Sequence, residues 1–220
     1  FDNLADDEER DVFALPEVIT ALVAAGATGQ KAGAGFYKKV GRDILVLDPA
    51  TMDYRPQVKA RFDSLGVAKK TADIGARIAG LVAADDVAGK CAWSLTSSSL
   101  VYAANRLGEI ADDVVSIDRA MRWGFNWALG PFEIWDAIGV KAVADRLTAE
   151  GRSVPAIVVA MLAAGQTAFY GGEAGARTGL SSARIPAPVM SLPGIDLADV
   201  RARGGVVERN QSAELLDLGD

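Results

Sequence analysis

The stretch at 116–139, SIDRAMRWGFNWALGPFEIWDAIG, predicts two short helices joined by a connection rich in aromatic residues. Ser116 can cap the first helix, because its hydroxyl can accept a hydrogen bond from a free amide of the first turn. Asp118 is then expected in the first turn, where the positive end of the helix dipole favours a carboxylate. Gly124 ends this helix. Three of the four tryptophans lie in this stretch, so we expect the rest of the chain to be organised around it.

The second helix of this stretch is predicted to begin at Pro131, because proline at the first helical position loses no hydrogen bond. Glu133 stands at the third position, where its carboxylate can accept the amide hydrogen of the residue before the helix. Leu129 and Ile134 occupy the two positions of a hydrophobic staple. Gly139 ends the helix, and the two helices together predict a compact helical hairpin.

Two strings carry a family resemblance. VVSIDRAMRWGFNWALGPFEIWDAIGV at 114–140 contains Asp-x-Ala-Met, a glycine, and then Gly-Pro-Phe-x-x-x-Asp-x-x-Gly. GATGQKAGAGFYKK at 26–39 contains Gly-x-Lys-x-Gly-x-Gly-Phe-Tyr. The first resembles the C-terminal helical domain of 3-hydroxyacyl-CoA dehydrogenases, and the second resembles the segment that follows it in those enzymes. The resemblance implies a mainly α fold of the 6-phosphogluconate dehydrogenase C-terminal type, with a short β-hairpin.

Charge and cysteine content exclude several broad classes. The 220 residues include 29 acidic and 23 basic side chains, a net charge of -6, which argues against a general nucleic-acid or membrane-surface role. No stretch reaches the roughly 20 consecutive apolar residues of a membrane span. The single cysteine, Cys91, excludes an internal disulfide and is typical of a reducing compartment, so we expect a cytoplasmic protein. Its apolar helical surroundings predict a buried thiol.

The chain contains no histidine. Oxidation of a secondary alcohol usually needs a general base that titrates near neutral pH, and histidine supplies it most simply. Without histidine, the run Thr96-Ser97-Ser98-Ser99 cannot supply a serine–histidine pair, and we expect its hydroxyls to bond back to the preceding helical turn. We therefore predict no catalytic, cofactor-binding or metal-binding residue within residues 1–220.

A glycine cluster at positions 26, 29, 33 and 35 invites comparison with a dinucleotide-binding loop. Gly33-x-Gly35 would need a third glycine at position 38, where the chain has Lys38, and no apolar strand precedes the cluster. We expect a tight connection that uses positive φ values.

Periodicity, proline and glycine predict the other elements. Helices are expected at 16–25, 73–84, 87–112, 141–150 and 154–164, with a short helix or covering segment at 56–65. Strands are expected at 36–40 and 43–47, as a hairpin, and at 206–207 and 215–218. The prolines at 186, 188 and 193 predict an extended linker. The long helix is expected to bury the face that carries Ala88, Ala92, Leu95, Ser99, Ala103, Leu107 and Ile110.

Two segments of the chain are similar to each other. PEVITALVAAG at 16–26 and PAIVVAMLAAG at 155–165 share five of eleven residues, and each precedes a glycine-containing connection and a Phe-Tyr pair. This predicts an internal duplication at an offset of 139. The chain is then expected to hold one whole helical repeat and the tail of another, as a fragment of a longer protein. The expected domain limits are 1–66, 67–180 and 181–220.

The family resemblance implies how a longer parent protein is built. In multifunctional β-oxidation enzymes, a nucleotide-binding domain that binds NAD precedes two tandem helical repeats and supplies the catalytic histidine and its glutamate partner. VVERNQSAELLDLGD at 206–220 resembles the junction to an enoyl-CoA hydratase domain of the crotonase class. The parent is therefore expected to hydrate a 2-enoyl-CoA and to oxidise the resulting 3-hydroxyacyl-CoA to 3-oxoacyl-CoA with NAD.

Within this chain, the resemblance implies a non-catalytic copy of the repeat. The family's catalytic asparagine falls at Trp93 or Ser94, and neither side chain combines the donor and acceptor of a carboxamide. The fragment is therefore expected to be inactive by itself and to supply a wall on the acyl-CoA side. It is also expected to pack against the first repeat, as the partner subunit does in dimeric relatives.

The aromatic residues of the central stretch have two interpretations. Structural core is the first, because aromatic side chains at helix junctions normally pack, and contact with the acyl chain is the second. The cluster comprises Trp123, Phe125, Trp127, Phe132 and Trp135. The basic residues near the glycine cluster also have two interpretations, contact with CoA phosphates or a solvated face. These residues are Lys31, Lys38, Lys39 and Arg42. The candidate substrate-binding residues are Trp123, Phe125, Trp127 and Lys31.

Two other functions remain open at this point. A helical interaction or dimerisation module with no catalytic role would also suit a histidine-free composition. The other is a helical domain of a different NAD-linked dehydrogenase, of the hydroxyisobutyrate or 6-phosphogluconate type. Gly-Pro-Phe-Glu-Ile-Trp-Asp at 130–136 argues against the latter.

Overall fold

The computed structural model divides into two compact units, residues 1–61 and 62–220. It describes residues 6–171, 178–180, 186–188, 200–201, 203–210 and 213–218, with the backbone alone at 178–180 and 186–188. The domain limits expected from the sequence, 1–66, 67–180 and 181–220, remain a prediction.

Over residues 6–61, the first unit contains one α-helix and a three-stranded antiparallel sheet. Its elements are a 3-10 turn at Arg10–Phe13, α1 (Glu17–Ala24), a 3-10 turn at Gln30–Ala32, β1 (Tyr37–Val40), β2 (Asp43–Leu47) and β3 (Tyr54–Pro56). The strands lie in the order β1-β2-β3. The predicted helix and hairpin are confirmed. The sequence pattern does not predict β3, because three residues that end in proline carry too little periodicity.

The second unit is mainly helical over its described residues. Its helices are α2 (Asp63–Lys70), α3 (Ile74–Val82), α4 (Val87–Arg106), α5 (Val114–Phe125), α6 (Pro131–Ile138), α7 (Val140–Ala149) and α8 (Ala156–Ala163). Short strands follow as β4 (Tyr170–Gly171), β5 (Thr178–Leu180), β6 (Pro186–Pro188), β7 (Val206–Arg209) and β8 (Glu214–Leu216). They form an antiparallel sheet in the order β4-β5-β6 and an antiparallel β7-β8 pair. The expectation of a mainly α fold is confirmed.

Some element limits differ from the sequence prediction. Helix α2 lies at 63–70 rather than 56–65. Helix α4 ends at Arg106 rather than at 112, because Leu107 is extended and Gly108 turns the chain with a φ of 89°. The linker expected at prolines 186 and 188 is instead the edge strand β6, where the missing proline amide needs no partner. The third proline of that prediction, at 193, lies outside the described residues.

Helix α4 buries mainly a different face from the one predicted. Trp93 and Leu100 are buried, whereas Leu95 of the predicted face is 68% exposed. Ile110 lies beyond the helix and is 66% exposed. The reason is size, since Trp93 and Leu100 remove more apolar surface from water than a stripe of alanines does. Cys91 lies on the exposed side of α4, so the predicted buried thiol is wrong.

The core of the second unit centres on Trp135, which is completely buried. Its indole Nε1 donates a hydrogen bond to the backbone oxygen of Leu100 at 3.1 Å, which joins α6 to α4. The rings of Phe132 and Phe169 pack edge to face with centroids 4.8 Å apart, and the Trp135 ring lies 6.0 Å from that of Phe169. The second helix of the central hairpin therefore lies in the middle of the core.

Trp135 and Trp123 form a matched pair for testing this core, because Trp123 is 62% exposed. We expect Trp135→Ala to lower the free energy of unfolding by about 3–5 kcal/mol, since a large buried side chain is lost. Trp123→Ala is expected to lower it by less than about 0.5 kcal/mol. Urea unfolding followed by circular dichroism measures both changes. Equal losses in the two variants would contradict this assignment of the core.

Candidate functional site

Helix α5 begins and ends at different residues from those predicted. Its N-cap is Asp113, whose carboxylate accepts hydrogen bonds from the Ser116 amide at 2.8 Å and the Ser116 hydroxyl at 3.0 Å. Ser116 is therefore a helical residue, because aspartate is an equally good cap and takes that amide first. The helix continues through Gly124 to Phe125 and ends where Asn126 adopts a left-handed φ of 57°. Asparagine is one of the few residues that adopt this conformation readily.

Helix α6 begins as predicted. Pro131 is its first residue, and the Glu133 carboxylate accepts a hydrogen bond from the Gly130 amide at 2.8 Å. The predicted staple residues, Leu129 and Ile134, both pack against the core. Gly130 has no side chain, so the next free amides of the helix need an acceptor from elsewhere.

That acceptor is Asp118 of helix α5. Because α5 begins at Val114, Asp118 lies in its second turn rather than in its first. The carboxylate accepts hydrogen bonds from the Phe132 amide at 2.8 Å and the Glu133 amide at 3.0 Å. A Cβ atom at Gly130 would lie 2.3 Å from the Asp118 Cβ, so only glycine permits this approach. Asp118 thus caps α6 from the neighbouring helix.

The two aspartates of the family signature hold the same dipeptide. Asp136 accepts hydrogen bonds from the amides of Phe169 at 2.7 Å and Tyr170 at 2.9 Å. The Tyr170 hydroxyl donates to Asp118 Oδ2 at 2.7 Å. Three hydrogen bonds therefore fix the start of β4 to α5 and α6. Sequence reasoning missed this contact, although the repeated Phe-Tyr pair was a signal that could have found it.

Burial raises the pKa of Asp118 to about 7. The hydrogen bonds from Phe132, Tyr170 and Glu133 act against that rise, and the nearby Glu133 carboxylate adds to it. A carboxyl group that titrates near neutral pH can serve as a general acid or base. Both oxygens of Asp118 are nevertheless engaged by protein donors, and the residue is only 2% exposed. Its geometry therefore suits a structural role in joining the hairpin to β4.

The aromatic connection is exposed. Trp123, Phe125 and Trp127 are 62%, 70% and 36% exposed, whereas Phe132 and Trp135 are completely buried. The core interpretation is therefore correct for the last two residues and wrong for the first three. The buried residues of α5 lie in its first half, so its last turn and the connection project away from the core. The three rings are accessible, as contact with a ligand or partner requires.

Lys31, the other candidate, lies in the first unit. It is exposed in the 3-10 turn at Gln30–Ala32, between Gly29 and Gly33, whose φ values are 134° and 81°. The chain then enters β1. A dinucleotide-binding loop instead follows a strand and opens a helix, so this segment does not fit the phosphates of NAD. It is the tight connection that the sequence predicts.

A polar cluster occupies the position that the resemblance assigns to the catalytic asparagine. Trp93 is 4% exposed, its Nε1 donates to Glu150 at 2.7 Å, and the Arg146 guanidinium lies 4.0 Å from the centroid of its ring. Arg152 donates to the buried Ser97 hydroxyl at 2.5 Å. The arginines of this cluster were not predicted from the sequence, although the i,i+4 spacing of Arg146 and Glu150 was a signal for part of it.

The serine run behaves as the sequence predicts. The Ser97 hydroxyl donates to the Ser94 backbone oxygen at 3.3 Å, and the Ser99 hydroxyl donates to that of Leu95 at 3.1 Å. Within the described part of the chain, no group of three or more histidine, cysteine, aspartate or glutamate residues could hold a metal ion. In the same residues, no helix has the length and apolar character needed to cross a membrane.

Comparison with known proteins gives similarity to one enzyme group. The chain is 41% identical over 216 residues, or 98% of its length, to a probable 3-hydroxyacyl-CoA dehydrogenase of Bacillus subtilis. It is 23% identical over 136 residues, 59% of its length, to putative fatty acid oxidation complex trifunctional enzymes of Rickettsia felis and Rickettsia prowazekii. The chain spans 27% of the Bacillus protein and 17% of each Rickettsia protein. No family model and no solved structure matches. The predicted resemblance to 3-hydroxyacyl-CoA dehydrogenases is confirmed.

Asp118→Asn tests the cap that α5 supplies to α6. At pH 5 the raised pKa leaves Asp118 protonated, so the substitution replaces one acceptor oxygen by an amide nitrogen and leaves the Glu133 amide without an acceptor. We therefore expect the free energy of unfolding at pH 5 to fall by roughly 1–3 kcal/mol. Asp113→Asn is the matched control, because asparagine caps helices as well as aspartate does, and a change below about 0.5 kcal/mol is expected. Urea unfolding measures both variants. A loss in the control as large as that in Asp118→Asn would refute the special role of Asp118.

The pH dependence of the same variant follows from the raised pKa of Asp118, about 7 against an ordinary value of 3.8. Between these values the folded chain binds one proton more than the unfolded chain. The stability that Asp118 contributes is therefore fully present below about pH 4 and is lost as the pH rises to 7. In urea unfolding, the free-energy gap between the unmodified chain and Asp118→Asn is expected to narrow by roughly 2–2.5 kcal/mol from pH 5 to pH 8, and so nearly to close. A gap that widens would show that the hydrogen bonds outweigh burial.

Proposed function

We propose that residues 1–220 are a helical, non-catalytic part of an NAD-dependent 3-hydroxyacyl-CoA dehydrogenase of fatty-acid β-oxidation. The enzyme oxidises 3-hydroxyacyl-CoA to 3-oxoacyl-CoA. The observation that carries the proposal is the 41% identity, over 98% of the chain, to the probable dehydrogenase of Bacillus subtilis. The folded hairpin, which contains every fixed element of the family signature, supports it.

The proposed enzyme is a longer, cytoplasmic polypeptide with several domains. An upstream nucleotide-binding domain and a first helical repeat accompany this part, and an enoyl-CoA hydratase domain follows it. The similarity to putative trifunctional enzymes supports a multidomain arrangement. NAD binds outside residues 1–220 in this proposal, because the glycine segment around Lys31 lacks the strand-loop-helix geometry that cradles a dinucleotide.

Three features support the non-catalytic role. The chain has no histidine, so a general base for the hydroxyl group has to come from another part of the enzyme. The carboxylates of the signature aspartates, Asp118 and Asp136, accept hydrogen bonds from backbone amides of the fold. Trp93, at the position of the catalytic asparagine, is buried against Arg146 and Glu150.

The exposed aromatic residues support a wall on the acyl-CoA side. Trp123 and Phe125 stand on the last turn of α5, and Trp127 follows in the connection, so all three can meet an apolar acyl chain. The Arg119 guanidinium lies 5.6 Å from the centroid of the Trp123 ring. A cation beside an apolar surface suits a ligand that combines an acyl chain with phosphates. Lys31 is the proposed contact for CoA phosphates in the first unit.

A second candidate function is an interaction or dimerisation module. The same exposed rings favour it, because large apolar side chains on a surface are typical of protein interfaces. In the proposed enzyme this corresponds to packing against the first helical repeat. The two functions differ in whether the rings affect the substrate or only the assembly.

Enzyme activity tests the proposal. The longer polypeptide and residues 1–220 are assayed side by side for oxidation of NADH by acetoacetyl-CoA, followed by NADH absorbance. We expect turnover in the longer polypeptide and none in residues 1–220, because the chain lacks a general base. A silent longer polypeptide would favour the interaction module. Turnover by residues 1–220 would refute the non-catalytic role.

Trp123→Ser in the longer polypeptide then separates substrate contact from assembly. Loss of an apolar contact of about 1.4 kcal/mol is expected to raise KM for an acyl-CoA substrate roughly tenfold with kcat unchanged. Leu95→Ser is the matched control, since Leu95 is 68% exposed on α4 and belongs to no candidate site. An unchanged KM together with a change in oligomeric state would favour the interaction module.

A further inference from the structure

The two similar sequence segments have the same local structure. Helices α1 and α8 each contain eight residues and each follow a proline, Pro16 or Pro155, whose backbone oxygen accepts hydrogen bonds from two amides of the first turn. Each helix is followed by a glycine with a positive φ, 69° at Gly26 and 76° at Gly165. The local geometry therefore supports the internal duplication that the sequence predicts.

The similarity continues beyond the helices. Each Phe-Tyr pair leads into a three-stranded antiparallel sheet in which the strands follow in sequence order, β1-β2-β3 and β4-β5-β6. The tyrosine begins the first strand, and a proline ends the third, Pro56 in one copy and Pro188 in the other. We call residues 16–56 the first Phe-Tyr unit and the described part of 155–188 the second Phe-Tyr unit.

The Phe-Tyr pair of the second Phe-Tyr unit packs against the helical hairpin, whereas its helix α8, in which Val158 is completely buried, packs mainly on α4 and α7. Phe169 is 2% exposed, and its ring lies against those of Phe132 and Trp135. The Asp136 carboxylate accepts the amides of the Phe-Tyr pair, and Asp118 accepts the tyrosine hydroxyl. Apolar burial and two carboxylates together hold this unit in place.

The first Phe-Tyr unit presents its own Phe-Tyr pair on its surface. Phe36 is 49% exposed and Tyr37 is 58% exposed, whereas Leu22, the equivalent of Met161 in α1, is 6% exposed. The Leu47 amide donates to the Phe36 backbone oxygen at 2.8 Å, and Tyr37 is paired with Val46. This register makes Tyr37 and Val46 a pair without mutual hydrogen bonds, so the Tyr37 amide points away from β2.

We propose that this exposed face of the first Phe-Tyr unit binds a second helical hairpin of the α5–α6 type. One aspartate of that hairpin, equivalent to Asp136, accepts the amides of Phe36 and Tyr37. The other, equivalent to Asp118, accepts the Tyr37 hydroxyl. The aromatic residues of the proposed hairpin cover Phe36, as Phe132 of the resident hairpin covers Phe169 of the second Phe-Tyr unit.

The occupant is a part of the longer polypeptide, so the proposal rests on the proposed function. The chain spans only 27% of the Bacillus subtilis relative, so a polypeptide of that length has ample sequence for another hairpin. The resident hairpin does not supply the contact, because its Asp118 and Asp136 already hold Tyr170 and Phe169.

Hydrogen–deuterium exchange tests the proposal. The amides of Phe36 and Tyr37 are expected to exchange at least about 100-fold more slowly in the longer polypeptide than in residues 1–220. The amides of Phe169 and Tyr170 are the internal reference, with equal protection expected in both proteins. Equal exchange of the Phe36 and Tyr37 amides in the two proteins would overturn the proposal. The measurement needs no turnover, so its failure is distinguishable from a failure of the activity assay.

A transplant tests the chemistry of the contact within the 220-residue chain. Residues 155–170 are replaced by residues 16–37, which places the first helix on α4 and α7 and its Phe-Tyr pair on the resident hairpin. The transplanted Phe36 amide is expected to be as protected as that of Phe169, and Asp136→Asn is expected to reduce this protection at least about tenfold. Rapid exchange at Phe36, or a transplant that does not fold, would overturn the proposal, because it requires the two units to be interchangeable on one hairpin.

Discussion

The buried carboxylate of Asp118 is the constraint on which the second unit depends. It supplies the cap that Gly130 lacks, and it requires glycine there because any side chain would overlap it. A buried carboxyl group is costly unless its oxygens are hydrogen-bonded, and here two amides and the Tyr170 hydroxyl fill them. One residue therefore sets the approach of α5 to α6 and fixes the point where β4 begins.

These contacts explain why the residues of the family signature are needed for packing. Asp118, Gly130 and Asp136 serve hydrogen bonds or close approach, Pro131 starts a helix, and Phe132 fills the core. Each of these contacts is made within the fold. A motif that identifies an enzyme family can thus record what its helical domain needs in order to fold, which agrees with our proposal that the chemistry lies in another part of the enzyme.

How far the sequence predicts this structure depends on the distance between interacting residues. The predicted start of α6 is confirmed because Pro131 and Glu133 act within one helical turn. The predicted β1–β2 hairpin is confirmed because its two strands are adjacent in sequence. The buried face of α4 depends on contacts such as that between Trp93 and Glu150, which are 57 residues apart. The exposure of Trp123 follows from its position in the last turn of α5, beyond the buried first half of that helix. Composition does not contain that information, so neither the surface aromatics nor the partners of Asp118 could be read from local patterns.

The shared cap also has a kinetic consequence. An eight-residue helix such as α6 is too short to be stable alone in water, so it forms only when α5 is present to complete its first turn. Asp118 and Phe132 are 14 residues apart, and closing so small a loop is fast, whereas the contact between Trp93 and Glu150 closes a loop of 57. We therefore expect the hairpin to form early in folding. The segment that begins at Tyr170 is expected to join later, because both of its aspartate partners lie on the hairpin.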